Sequence, residues 1–167
     1  MEDNDYKKEI ELNLEYVLNY SSKTEKKAFH LRSLGNIALV LIKEEDEKTG
    51  GKLRNLKIKK YRERIAVYLK KIKNDELDPE LSKQYFKEYI EDMGSFMQEN
   101  YNFSFFAGHV LPFHFILRMI PGIVLDIIIY LFIGFKIMGL FSLTFFIYHF
   151  IKYKNKKRKG KIYGPGY

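Results

Sequence analysis

The sequence predicts an all-α protein: an N-terminal four-helix soluble bundle followed by a C-terminal transmembrane helical hairpin. Three observations lead there. Residues 110–151 are almost continuously apolar, and only Arg118, Asp126 and Lys136 carry formal charge within them. The first hundred residues carry apolar side chains at helical spacing, interrupted by helix-start and helix-stop signals. The net charge of +8 comes wholly from residues 102–167, which hold nine Lys/Arg against one acid, Asp126. Residues 1–101 balance at 20 of each sign. The division follows: a soluble helical domain at 1–101, a membrane region at 102–151 and a basic cytoplasmic tail at 152–167.

In the first segment Tyr6, Ile10, Leu14, Val17 and Leu18 share one helix face. Ser22-Lys-Thr-Glu25 has the spacing of a capping box and opens a second helix. That helix buries Leu34, Ile37, Ala38, Leu41 and Ile42 and stops at Thr49-Gly50-Gly51. The acidic run Glu44–Glu47 lacks the alternating ligands and central glycine of a calcium loop and reads as a solvated helix end. A third helix shows Ile58, Tyr61, Ile65, Tyr68, Leu69 and Ile72. Asp78-Pro79 pairs an N-cap with proline at the first helical position. The fourth helix carries Tyr85, Phe86, Tyr89, Ile90, Met93, Phe96 and Met97. Each stripe needs a partner to cover it, and four joined by short connections form a bundle.

Charge is polarised between the last two of these helices. Residues 52–73 hold ten Lys/Arg and one acid, Glu63, whereas residues 75–99 hold eight acids and two lysines. One reading is mutual attraction between neighbouring helix flanks. The other is a binding patch of Lys57, Lys59, Lys60, Arg62 and Arg64 for phosphate groups of lipid or nucleic acid. A second basic cluster, with Lys152, Lys154, Lys156, Lys157 and Arg158, follows the apolar block directly. Its position is a cytoplasmic-side orientation signal and an attraction for anionic lipid.

Two topologies compete for the apolar block. In the hairpin, spans cover about 113–133 and 137–151, with Gly134-Phe-Lys136 at the turn. In the single-span form one tilted helix crosses and Lys136 falls at the bilayer midplane, which costs at least about 2.5–3.5 kcal/mol. The hairpin is favoured, and it puts head and tail on the cytoplasmic face of the cell membrane. Its second span is short, rising about 22 Å against a hydrocarbon core of about 30 Å. Snorkelling, membrane thinning or a re-entrant path answers that shortfall.

His114, Arg118, Gly122, Asp126 and Tyr130 recur every four residues and form a slanted polar seam. Three roles are open to it: an Arg118–Asp126 pair that glues helices together, the lining of a pore in a homo-oligomer, or Arg118 at headgroup level with Asp126 paired elsewhere. Pro121 bends the helix midway.

Signs of catalysis are missing. There is no cysteine, and HExxH, GxSxG and P-loop patterns are absent. His109 and His114 do not share a helix face, so no metal site and no cofactor is expected, and the chain is expected not to be an enzyme. In layout the chain resembles small membrane effectors and accessories of bacterial antiviral systems, which couple a helical domain to one or two spans. That resemblance implies a membrane pore or a recruiting role. The arginine–histidine spacing of the HEPN ribonucleases attributed to some accessories is missing here. The expected function is a self-associating membrane protein, in its most concrete form a pore regulated by its helical domain. The alternative is an anchored adaptor that recruits a protein partner, or binds RNA or anionic lipid, through residues 52–73.

Overall fold

The computed structural model describes residues 3–44, 52–106, 111–133, 139–165 and 167, and it is predominantly helical. Helix α1 (Asp3–Tyr20) packs along α4 (Lys52–Lys73), and α3 (Leu31–Lys43) lies against both. Between α1 and α3 sits the short α2 (Lys23–Ala28), opened by the Ser22–Glu25 capping box that the sequence predicts. A 3₁₀ turn (Pro79–Leu81) capped by Asp78 leads into α5 (Ser82–Tyr85). A π-helical segment (Phe86–Glu91) and α6 (Asp92–Tyr101) follow without a break. The extra residue per turn in the π segment keeps Tyr85, Phe86, Tyr89, Ile90, Met93, Phe96 and Met97 all buried.

The core is aromatic where α4 meets this last helical stretch. Tyr68 stacks on Tyr89 at 4.3 Å between ring centroids, and its hydroxyl donates to the Phe29 carbonyl at 3.1 Å. Burial pushes the Tyr68 hydroxyl well above the usual tyrosine range. The expected first stripe holds at Ile10, Leu14 and Val17, whereas Leu18 is exposed and Asn13 turns inward to meet Lys73.

The single second helix expected from the sequence is two helices. The chain breaks at Phe29–His30, where His30 adopts a left-handed conformation with φ 53°. Its Nε2 lies 2.9 Å from the Ser82 carbonyl and 3.1 Å from Ser82 Oγ. Because Ser82 Oγ donates to the Ala28 carbonyl, it must accept from His30. Tertiary hydrogen bonds to α5 therefore stabilise a kink that carries neither glycine nor proline. The Gly50–Gly51 stop and Glu45–Glu47 lie outside the described residues.

Two dipeptides, β1 (Ser104–Phe105) and β2 (Ile162–Tyr163), form a parallel pair with Ser104 opposite Ile162. Between them in sequence stand α7 (Leu111–Ile133) and α8 (Leu140–Arg158), which pack on each other as a hairpin. In the stretch expected as a basic tail, 152–167, α8 runs on to Arg158, and Ile162, Tyr163 and Gly164 are buried in the head. Asn36 donates to the Ile162 carbonyl at 2.8 Å, and Ser33 Oγ bridges both the N–H and the carbonyl of Gly164.

Among the described residues, no helix is long and apolar enough to cross a membrane. The physical reason is plain in α8, whose apolar part from Leu140 to Ile151 rises about 18 Å before Lys152. Helix α7 is longer, runs unbroken from Leu111 to Ile133 and carries Arg118, Pro121 and Asp126 within its length. The hairpin arrangement of the helices agrees with the sequence; a full transmembrane crossing does not have this support. The expected turn at Gly134–Lys136 lies outside the described residues.

Candidate functional site

The hairpin is packed inside out. Among the described residues its buried ones are Gly122 and a carboxylate, Asp126 at 4% exposure, while Leu131 and Phe132 are 73% and 84% exposed. Most of the large apolar side chains left exposed among the described residues lie on α7 and α8.

Asp126 is the joint of the hairpin. Helix α8 begins at Gly139, which has φ 96° and no side chain to cap the free N–H groups behind it. Asp126 reaches across from α7 and supplies that cap. Its two carboxylate oxygens accept from the N–H of Phe141 at 3.0 Å and of Ser142 at 2.9 Å, and Ser142 Oγ also donates to it. One turn earlier, Gly122 faces the Phe141 carbonyl and Ser142 Cα, and a Cβ there would stand 3.0 Å from each. A side chain at 122 would push the helices apart and lift Asp126 off its donors. Thr144 Oγ1 returns its proton to the Leu140 carbonyl at 2.8 Å, so this polar atom too is satisfied within the hairpin.

The predicted seam is divided by this geometry. Asp126 stands level with Phe141 and Ser142 in an antiparallel pair, so the Arg118 backbone, eight residues earlier, lies about 12 Å nearer the head. That height matches Phe150 and Ile151 on α8, just before the basic run. His114 lies about one further turn down, and the side chains of His114 and Arg118 are outside the described residues. Tyr130 sits one turn beyond Asp126 and is exposed. The carboxylate expected to face a pore or a neighbouring arginine is engaged in holding the two helices together.

The basic patch on α4 is also divided. Lys57, Lys59 and Lys60 are exposed. Arg62 is not available to it, being fully buried. Its Nε and Nη2 donate to the Leu41 carbonyl at 2.9 and 2.8 Å, and Nη2 also donates to that of Glu44. These are the carbonyls at the end of α3, which have no helical partner, and Arg62 serves as their cap. Arg64 forms an ion pair with Asp92 on α6 at 3.2 Å, the flank-to-flank attraction that the charge polarity suggests. On the same helix Lys71 donates to the Tyr89 hydroxyl at 2.9 Å.

Of the second cluster, Lys152, Lys154, Lys157 and Arg158 are exposed at the end of α8. Lys156 is latched to the head through Asn102 Oδ1 at 2.9 Å and Ser104 Oγ at 2.8 Å. Gly160, at φ 64°, ends α8 by sending its N–H to the Lys157 carbonyl, and Lys161 sends its own to that of Lys156. This turn delivers Lys161 to the strand pair, where its carbonyl accepts from Ser104. The sequence reading missed this docking. Its signal is the pair Ile162–Tyr163, an apolar dipeptide inside an otherwise basic and glycine-rich stretch.

Among the described residues, no group of His, Asp or Glu is arranged to hold a metal ion. Comparison with protein-family models, with curated proteins and with solved structures finds no match.

Proposed function

We propose that this chain is a membrane-inserted protein without catalytic chemistry: the hairpin enters a bilayer from the side of the head and returns to it, and the inserted hairpins self-associate. The inside-out packing of α7 and α8 supports the reading. Water rewards exposed polar groups and buried apolar ones; this hairpin does the opposite, burying Asp126 against Ser142 Oγ while large apolar side chains stand outside, and the exposed Thr144 Oγ1 is satisfied by its own helix. Hydrocarbon demands that arrangement, because an unsatisfied polar group there costs several kcal/mol. The apolar height of about 18 Å on α8 suits a hairpin that dips into the bilayer, and such a path needs no full crossing. The strand pair β1–β2 places the entry and exit of the hairpin side by side, which fits a return to the same face. The basic end of α8 would mark that face as cytoplasmic.

Self-association follows from uncovered surface. Both helices leave apolar faces open after packing on each other, and a polar rim of Tyr148 and Lys152 bounds them. A conducting pore is the more particular form of this reading, and an anchored adaptor is the second class. The cap role of Asp126 favours the adaptor, since it removes one charge from any lining.

Flotation of the full chain with neutral phosphatidylcholine vesicles tests insertion. Resistance to extraction by high salt is expected, because burial of apolar surface is not screened. Release at 1 M salt would sink the proposal. Crosslinking in those vesicles tests self-association, and dye release from them separates pore from anchor.

A further inference from the structure

We propose that a cleft at the root of the hairpin seats the phosphate of one anionic phospholipid. The inference rests on the membrane reading above and names the lipid chemistry that the root selects. The cleft encloses about 420 Å³ between the end of α8 and the residues after α6, a size common among ligand sites. Its α8 wall follows a single stripe, since positions 148, 151, 152, 155, 156 and 159 recur at intervals of three and one.

The order along that stripe is the order of parts in a phospholipid. Tyr148 and Ile151 come first, on the apolar side, and suit acyl carbons and the glycerol level. Lys152 and Asn155 follow, then Lys159, with Lys161 facing them from beyond the Gly160 turn. Among the described residues, no acidic one lines the cleft. The last carbonyls of α8 would repel an anion, yet those of Lys156 and Lys157 already accept from Lys161 and Gly160. The ammonium groups therefore dominate the local field.

The cleft is also held in shape before any ligand arrives. Lys156 is tied to Asn102 and Ser104, and the Lys161 backbone is fixed by Ser104. A cleft whose walls are fixed in this way loses less entropy on binding than a free basic tail would. This separates the site from the diffuse attraction that any polybasic segment exerts.

The test uses the full chain in nanodiscs of phosphatidylcholine doped with phosphatidylglycerol, and retained lipid is counted by native mass spectrometry. The cleft variant Lys152→Gln/Lys159→Gln/Lys161→Gln is set against a control with equal charge loss, Lys154→Gln/Lys157→Gln/Arg158→Gln. Retention of phosphatidylglycerol should fall about fivefold per lysine in the cleft variant and stay near wild type in the control. Equal losses in both, or no loss in the cleft variant, overturn the site. If the triple variant does not fold, Lys159→Gln alone carries the test with the same two outcomes. Inorganic phosphate at 10-fold excess over the doped lipid (about millimolar, within ordinary binding ranges) should leave the lipid in place; full displacement would overturn the proposal in favour of a free-phosphate site. Single-stranded RNA that binds through these lysines and expels the lipid would overturn it likewise. Flotation on pure phosphatidylcholine reports insertion separately, so a protein that floats but lacks lipid preference loses only the cleft.

Discussion

The ring of Tyr163 lies directly on Gly94, so close that no Cβ fits at position 94 without displacing it. Gly94 belongs to α6 in the head, and Tyr163 arrives only after the hairpin has been traversed. The Tyr163 hydroxyl reaches Gln98 at 3.3 Å, and burial raises the affinity of that hydroxyl for its proton. Gly94→Ala should therefore loosen β2 from the head, with a loss of about 1–3 kcal/mol for overpacking. Thermal unfolding measures the loss, and proteolysis between Gly160 and Ile162 measures the release. An unchanged cleavage rate would show that the contact does not hold the strand.

Asp126→Ala should uncap α8 from across the hairpin. A lost cap costs about 0.5–2 kcal/mol, and the first amides to exchange faster should be those of Phe141 and Ser142. Asp126→Asn keeps one acceptor oxygen and should lose less. If the two variants exchange alike and the Phe141 amide stays protected, the carboxylate is not the cap.

Arg62 and Lys59 lie three residues apart in the same basic helix, yet their removal should differ greatly. Arg62→Ala leaves the Leu41 and Glu44 carbonyls without this donor in the interior. Charged hydrogen bonds contribute about 1.5–3 kcal/mol each, so a loss of about 3 kcal/mol or more is expected in urea unfolding. Lys59→Ala should stay within about 0.5 kcal/mol. Comparable effects would return Arg62 to the surface patch.

His30 gives the head a pH dependence. Burial lowers its proton affinity below the ordinary histidine range, partly opposed by the hydrogen bond to Ser82. The unfolded chain thus binds the proton first as pH falls. Stability contributed by neutral His30 is fully present above the unfolded value near 6.5 and declines as pH falls from there toward the lowered folded value. His30→Asn, which tolerates the left-handed backbone, should flatten stability between about pH 5 and 7. A slope identical to wild type would place the dependence elsewhere.

What the sequence made legible was local or periodic. Ser22 and Glu25 sit three apart and form the capping box; Asp78 precedes Pro79 and starts a helical turn. The Tyr85–Met97 stripe is legible from its spacing and is buried along its length, with the π segment at Phe86–Glu91 keeping it on one face. The failures are long-range. Nothing near His30 marks a kink, since its cause is Ser82, 52 residues away. Nothing in the run Lys57–Arg64 says that Arg62 turns inward, because the carbonyls it caps lie on α3. Asp126 reads as a membrane charge until the bare N-terminus of α8 is seen beside it.

The strand pair β1–β2 also sets an order of events during synthesis. Ribosomes deliver the chain from its N-terminus, so the helices of the head emerge first and wait with a gap where Ile162 and Tyr163 belong. The gap fills only after α7 and α8 have been made and have found their surroundings. A head whose hairpin has gone astray would keep an open seam beside Gly94, Ser33 and Asn36. Closure of the head thus requires that the hairpin has been made, because β2 follows it in the chain.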